Sequence, residues 1–216
     1  RVALQTVGRI PPDQLWRCKA LHIYTDGSFD PVAPSAGWAF AVVAEIQAGQ
    51  YALAGFLAGP VALRCEPGDL GGEHWSAPVA EDYALAWAVI WRMQLLNGRC
   101  EVPTTFWGDC LAIGMIAWGD WQIRTNHIAS EAMRALFTIL ANEIGDHNVR
   151  WAHVKGHSGH PWNEMCDRLA AQGAIGNFNP DFNPIDPALL EPQCKDLQWA
   201  LLENLPQEWV LSLIHI

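Results

Sequence analysis

Apolar runs separated by short polar breaks set out the elements of this chain. From Ala20 to Asp26 it reads ALHIYTD, a hydrophobic strand that runs straight into an aspartate. AGWAFAVVAEI (36–46) is rich in β-branched and aromatic residues after a turn at Pro34–Gly37, and YALAGFLAGPVAL (51–63) reads as a third strand. Three successive strands predict an antiparallel meander. Residues 64–78 hold three glycines and two prolines and read as a loop. VAEDYALAWAVIWRMQLLN (79–97) is apolar nearly all round, which predicts a buried helix. VPTTFWGD (102–109) is a short strand that also ends on an aspartate, and CLAIGMIAW (110–118) reads as helical. IASEAMRALFTILANEIG (128–145) is amphipathic and stops at a glycine. NVRWAHV (148–154) alternates like a strand. HPWNEMCDRLAAQG (160–173) opens a helix with a proline at its first position and sets Trp162, Met165, Cys166 and Leu169 on one face. The order β-β-β-α-β-α-α-β-α is that of an α/β domain. Residues 1–19, with Pro11-Pro12, read as a leader or linker. The 17 residues from Asn177 hold four prolines and read as an extended linker, with one more short helix expected over 193–209.

Composition narrows the functional classes. The chain has 216 residues, which suits one domain with appendages or two small domains, and 50% of them are hydrophobic, enough for a core. The net charge of −10 argues against strong autonomous binding to nucleic acid, because phosphate contacts dominate that affinity. It leaves room for a site where acids hold metal ions that in turn meet phosphate. No two of the six cysteines form a CxxC pair, so neither a zinc ribbon nor a thioredoxin motif is present, and reduced thiols in an intracellular protein are expected. Most of the twelve tryptophans are expected to pack in the core and on the surface. The chain starts at Arg1 and its first methionine is Met93, so it is expected to be a piece of a longer translation product. No apolar run reaches the length of a membrane span, and no membrane partner is expected.

Four acids occupy telling places. Asp26 and Asp109 end two strands of one sheet, Glu81 lies in the first turn of the buried helix, and Asp167 is flanked by core residues Cys166 and Leu169. Small alanines at 84 and 88 let the Glu81 helix approach the sheet. Each acid has a plain structural explanation: Asp26 capping a turn, Glu81 favoured at a helix N-terminus, Asp109 an N-cap, Asp167 a surface acid. Clustered, they would repel and raise one another's pKa, and hard divalent cations resolve that repulsion. An all-oxygen ligand set favours Mg²⁺ or Mn²⁺ over zinc.

These residues resemble a family, type I ribonuclease H and its retroelement relatives. YTDGS (24–28) resembles its first-strand motif, AEDYALAWAV (80–89) its A-E-x-x-A helix, and WGDCLAI (107–113) its third-acid motif. HVKGHSGHPWNEMCDRLA (153–170) resembles the K-G-H-x-G-H-x-x-N-x-x-x-D-x-x-A signature at nearly every position. The resemblance covers about residues 20–175 and implies a ribonuclease H-like fold: a mixed five-stranded sheet, three antiparallel strands then β-α-β units, flanked by helices. It implies an endonuclease that cuts the RNA strand of RNA–DNA hybrids with two Mg²⁺ ions, Mn²⁺ substituting, leaving 5′-phosphate and 3′-hydroxyl ends. Asp26 would bridge both ions, Asp167 would complete one ligand set, and Glu81 and Asp109 the other. His157 would serve proton transfer and product release. Gly27, Ser28, Lys155 and Asn163 are the expected substrate contacts, Asn163 also supporting Asp167 from one turn away. A transition-metal site of His153, His157 and His160 is a weaker alternative.

The match departs at two places. Hybrid-cutting relatives often carry Asn or Gln just before the helix glutamate, where this chain has Ala77 and Pro78 after Ser76. Where bacterial members insert a basic protrusion, AWGDWQIRTNHIAS (117–130) offers only Arg124. The first makes hybrid recognition less secure than metal binding, while the lone Arg124 and the acid count left high elsewhere point to affinity borrowed from a tethered reverse transcriptase or other nucleic-acid-binding domain, as in a retroelement polyprotein. The expected organisation is a leader at 1–19, a ribonuclease H domain at 20–175 and a Pro-rich linker and tail at 176–216. The terminal LSLIHI (211–216) resembles translated adaptor read-through and stays outside the fold argument. The other reading is a catalytically silent module of the same fold that only binds or connects. Silent relatives tend to lose acids, and all four acids and His157 are present here. The expected location is intracellular, cytoplasmic or nuclear.

Overall fold

The computed structural model describes residues 15, 17–47, 50–95, 101–125 and 127–176. The strands are β1 (Ala20–Asp30), β2 (Ser35–Gln47), β3 (Gln50–Pro60), β4 (Thr104–Gly108) and β5 (Val149–His153). The helices are α1 (Ala77–Gln94), α2 (Leu111–Trp118), α3 (His127–Ile144) and α4 (Pro161–Ile175). The elements follow the expected order and form one five-stranded sheet, β3-β2-β1-β4-β5. The first three strands pair antiparallel, and β4 and β5 join in parallel. The extended linker and the short helix expected within 177–216, and most of the leader, lie outside the described residues. Leu15 and Cys18, at the leader's described end, are buried in the main core, so that end packs with the domain.

Side-chain alternation divides the sheet. Leu21, Ile23, Phe40, Val42 and Phe106 face α1 and α3, while Tyr24, Ala39, Ala41, Val43 and Phe56 face α4. On α4, Trp162, Met165, Cys166 and Leu169 all enter the second cluster, as their shared helical face requires. Cys166 is fully buried, and its thiol donates to Tyr24 O at 3.3 Å.

Two boundaries differ from expectation and both bear on the site. β1 does not end at Asp26. β2 pairs with it from Ala20↔Glu45 to Asp30↔Ser35, whereas the β4 ladder stops at Tyr24↔Trp107. Asp26 therefore lies two residues past the parallel ladder, on a strand still held from the other side. α1 begins at Ala77 because Ser76 caps it, its hydroxyl accepting from Val79 N at 3.4 Å, and Pro78 sits in its first turn. Glu81 consequently lies in the second turn.

The helix read as apolar all round also buries two charged side chains. Arg92 is fully buried, donating Nε to Thr104 Oγ1 at 2.8 Å and Nη2 to Val102 O at 2.9 Å. These bonds tie α1 to the start of β4. Thr104→Val keeps the shape and removes an acceptor from a buried guanidinium, so it should cost about 1.5–3 kcal/mol. A urea titration should show a lower midpoint at unchanged slope. An unchanged midpoint would leave the tie without energetic weight.

Candidate active site

The site lies where the β1–β4 ladder ends. Asp26, on β1, is 5% exposed. Glu81 reaches it from α1, and Asp109 follows β4 directly. One carboxylate oxygen from each of the three lies within 4.8 Å of the others. Asp26 and Glu81 also share a hydrogen bond. A second group meets beside them: His157, Glu164 and Asp167, again with ligand atoms within 4.8 Å of one another. Asp167 acts electrostatically on Asp26, which links the two groups.

The plain structural explanations for the four acids fail one by one. Asp26 caps no turn, because it sits mid-strand. Glu81 is beyond the first helical turn. The N-cap of α2 is Cys110 rather than Asp109, and no side chain bonds that cap. Asp167 is half-buried rather than a free surface acid.

Gly27 explains how Glu81 gets so close. A Cβ there would fall inside contact distance of the Glu81 backbone nitrogen and 2.5 Å from Ala80 C, so only glycine lets α1 lie this near β1. The Gly27 N–H then serves the Glu81 carboxylate. That donor, expected to meet substrate, is committed within the site. Gly156 does the same for the loop before α4: a Cβ there would collide with Asp109 Oδ2.

The other expected residues are distributed unevenly. His157 lies with Asp167 and Glu164. Ser28 is half-buried and Lys155 is exposed. Asn163 is 2% exposed with its Oδ1 unpartnered, so it offers no surface to a duplex. Glu164, three residues before Asp167, stands where Asn163 was expected to help; the helical spacing i, i+3 is the signal that would have found it. The three histidines are not brought together. His153 lies 3.1 Å from Asp109 O through Nε2, and His160 packs its ring on Tyr24 at 5.0 Å. Asp82 was also missed. It is 1% exposed, accepts from Ser130 Oγ at 2.7 Å, and burial raises its pKa to about 7.

The electrostatics are those of crowded, desolvated acids. Burial first, then Glu81, Asp109 and Asp167, push Asp26 well above the usual carboxylate range. Burial and then Asp109 raise Glu81 to about 8. Burial raises Asp167, opposed by the His157 charge. Asp26, Glu81 and Asp109 offer only oxygen ligands, and a hard divalent cation would relieve both the repulsion and the retained protons. The donor set fits Mg²⁺ or Mn²⁺.

A pH dependence follows for the metal-free protein. Folded Glu81 keeps its proton to about 8, against 4.5 for an ordinary glutamate, and Asp26 shifts the same way. The native state therefore binds more protons than the unfolded state across that window. The stabilisation is complete below about 4.5 and gone above about 8, so this contribution falls as pH rises. Thermal melts in chelator should decline over that range, and Glu81→Gln should flatten the decline. An equally steep decline in the variant would remove Glu81 as its source.

Part of this chain resembles known proteins. The RNase H family profile matches residues 108–175. Over 104 residues the chain is 35% identical to a ribonuclease H of Yersinia pestis, covering 44% of this chain and 68% of that protein. It is 36% identical over 93 residues to a ribonuclease H of Actinobacillus succinogenes, covering 40% of this chain and 59% of the relative. A ribonuclease H of Tolumonas auensis matches at 36%, over 42% of this chain and 61% of its own length. The chain thus spans about 60% of the length of these last two relatives. Among solved structures, RNase H1 from Halobacterium salinarum superposes with a TM-score of 0.53 at 16% identity, covering 73% of this chain and 99% of that one. At that identity the likeness speaks for the fold.

Proposed function

This chain belongs to the ribonuclease H family, and from that premise we propose that it hydrolyses the RNA strand of RNA–DNA hybrids. The products would carry 5′-phosphate and 3′-hydroxyl ends. The observation that supports this reading most is the convergence of Asp26, Glu81 and Asp109 from three separate elements, with Asp167 alongside. A silent binding module would have no use for four acids held together against their mutual repulsion.

Two Mg²⁺ or Mn²⁺ ions at these carboxylates would supply Lewis-acid stabilisation of the attacking and leaving oxygens. Asp26 would serve both ions, Glu81 and Asp109 one, and Asp167 the other. For that, Asp26 and Glu81 must release the protons that crowding makes them keep. The Gly27 N–H steadies the ionised Glu81 carboxylate. The Gly156 backbone lies close against the Asp109 carboxylate, while the Asp109 carbonyl faces His153. His157, beside Asp167, would carry a proton to the departing 3′ oxygen.

We infer further that the domain works beside a tethered nucleic-acid-binding neighbour, such as a reverse transcriptase in a retroelement polyprotein. The support is the net charge of −10 and the lone Arg124 in the segment after α2. The boundaries proposed are a leader at 1–19, the nuclease domain at 20–175 and a linker and tail at 176–216. An intracellular location is part of the same reading, supported by the thiols of Cys65, Cys110 and Cys166. Among the described residues no helix is long and apolar enough to cross a membrane.

The test is hydrolysis of a labelled RNA–DNA hybrid with Mg²⁺, beside matched duplex RNA and duplex DNA. Cleavage of the RNA strand of the hybrid alone is expected. Hybrid binding without cleavage, with Mn²⁺ also supplied, would favour the silent module.

A further inference from the structure

Glu164 has no part in the four-acid assignment, yet it stands in the site. Its Oε1 accepts the Gly159 N–H at 3.2 Å, and its carboxylate groups with His157 and Asp167. The loop it reaches, residues 154–160, joins β5 to α4. The loop begins on the sheet, where Val154 N donates to Gly108 O at 3.0 Å. It passes Asp109 at Gly156 and ends with the His160 ring on Tyr24. Between those anchors His157 adopts φ 49°, in the left-handed region that non-glycine residues rarely enter, and Gly159 follows at φ 79°. Such a backbone persists only where its surroundings hold it.

Two side-chain bonds hold this turn. Ser158 Oγ donates to Lys155 O at 2.6 Å, which closes the turn on itself. The Glu164 bond instead reaches across from α4, the helix that carries Asp167. Glu164 and Asp167 are one helical turn apart, so they share a rigid mount. A loop tied to Glu164 is therefore tied at a set distance from Asp167.

We propose that Glu164 is a positioning residue: through the Gly159 N–H it holds the His157 loop against α4 and keeps the imidazole beside Asp167. The proposal rests on the nuclease reading for its kinetic consequence, though the tether can be observed without activity. Glu164→Gln keeps an acceptor oxygen for Gly159, whereas Glu164→Ala removes it.

Two readouts test it. The first is the Gly159 amide in ¹H–¹⁵N spectra of the full chain. Its hydrogen exchange should quicken in Glu164→Ala and stay near wild type in Glu164→Gln. The second is turnover of a labelled hybrid. Glu164→Ala should lower kcat by about 3- to 30-fold with little change in KM, as expected for neighbours that act together. Glu164→Gln should recover most of that loss. In a His157→Ala background, Glu164→Ala should cost less than about 2-fold more.

A Gly159 amide as protected in Glu164→Ala as in wild type would overturn the tether. Independent, multiplying losses in the two alanine variants would overturn it too, as would a Glu164→Gln variant no better than Glu164→Ala. If the amide opens as expected while even the wild type cuts no hybrid, the tether stands and the nuclease reading falls.

Discussion

Asp26→Asn is expected to abolish cleavage of the hybrid while making the metal-free protein more stable. Asp26 is the centre of the constellation: it bonds Glu81 and feels Asp109 and Asp167. It also lies on the α4 side of β1, in a position where the strand needs no acid for pairing, because its backbone is laddered to Ala39. On the proposed metal assignment its carboxylate would serve ligation and not the fold. Losing one preorganised charge of this kind should lower kcat by at least about 10²–10³-fold. In chelator at pH 8 the same change removes a buried acid that its neighbours repel. A gain of about 1–2 kcal/mol, or roughly 2–8 °C in Tm, is expected for a domain of this size. The added stabilisation by millimolar Mn²⁺ should shrink in the variant, since binding to the native state alone is what raises Tm. Wild-type cleavage by the variant would sink the metal assignment. A lower Tm would mean that Asp26 supports the fold after all.

Gly27→Ala should damage fold and activity together. A Cβ at 27 meets the backbone of Ala80 and Glu81, and the Ala80 Cβ at 2.8 Å. Neither element yields easily: β1 is the central strand of the sheet, and α1 is buried along most of its length. The expected cost is near the upper end for overpacking, about 3 kcal/mol, or roughly 6–12 °C in Tm. The relief available is to push α1 outward. That draws Glu81 from Asp26 and weakens the Gly27 N–H bond to its carboxylate, so activity should fall further than stability alone implies. Ala80→Gly in the same background should restore little, because the backbone contacts remain. Full rescue by Ala80→Gly would show that the two side chains alone were in conflict. A Gly27→Ala variant with wild-type Tm would show that the helix does not press on the strand.

Much of this could be read from the chain. The alternation of LHIY and FAVV places strands, and the 3.6-residue spacing of Trp162, Met165, Cys166 and Leu169 places a helix face. These are local periodicities, and the structure reproduces their order. The KGHSGHPWNEMCD segment carried His157 and Asp167 within one short motif, so their proximity is a property of one loop and one helix. Asp26, Glu81 and Asp109 were legible as strand- and helix-end acids only because three spaced motifs occurred in order.

What the chain did not disclose depends on how rigid elements are rotated and how closely they approach. Asn163 and Glu164 are neighbours on α4, and either spacing puts a polar group one turn from Asp167. The rotation of α4 is set by burying Trp162, Met165 and Cys166 against the sheet, and that rotation buries Asn163 while delivering Glu164 to the loop. The end of β1 was misplaced for a similar reason, since pairing with β2 continues after pairing with β4 has stopped. The raised pKa values of Asp26 and Glu81 lie furthest from the sequence. They come from burial and from charges 55 and 28 positions apart along the chain, brought within 4.8 Å because Gly27 has no side chain. Residue types and the elements that carry them follow from local patterns along the chain. Which carboxylates share a space small enough for their charges to interact depends on how the elements pack, because Coulomb energies depend on distances and burial that no local pattern encodes.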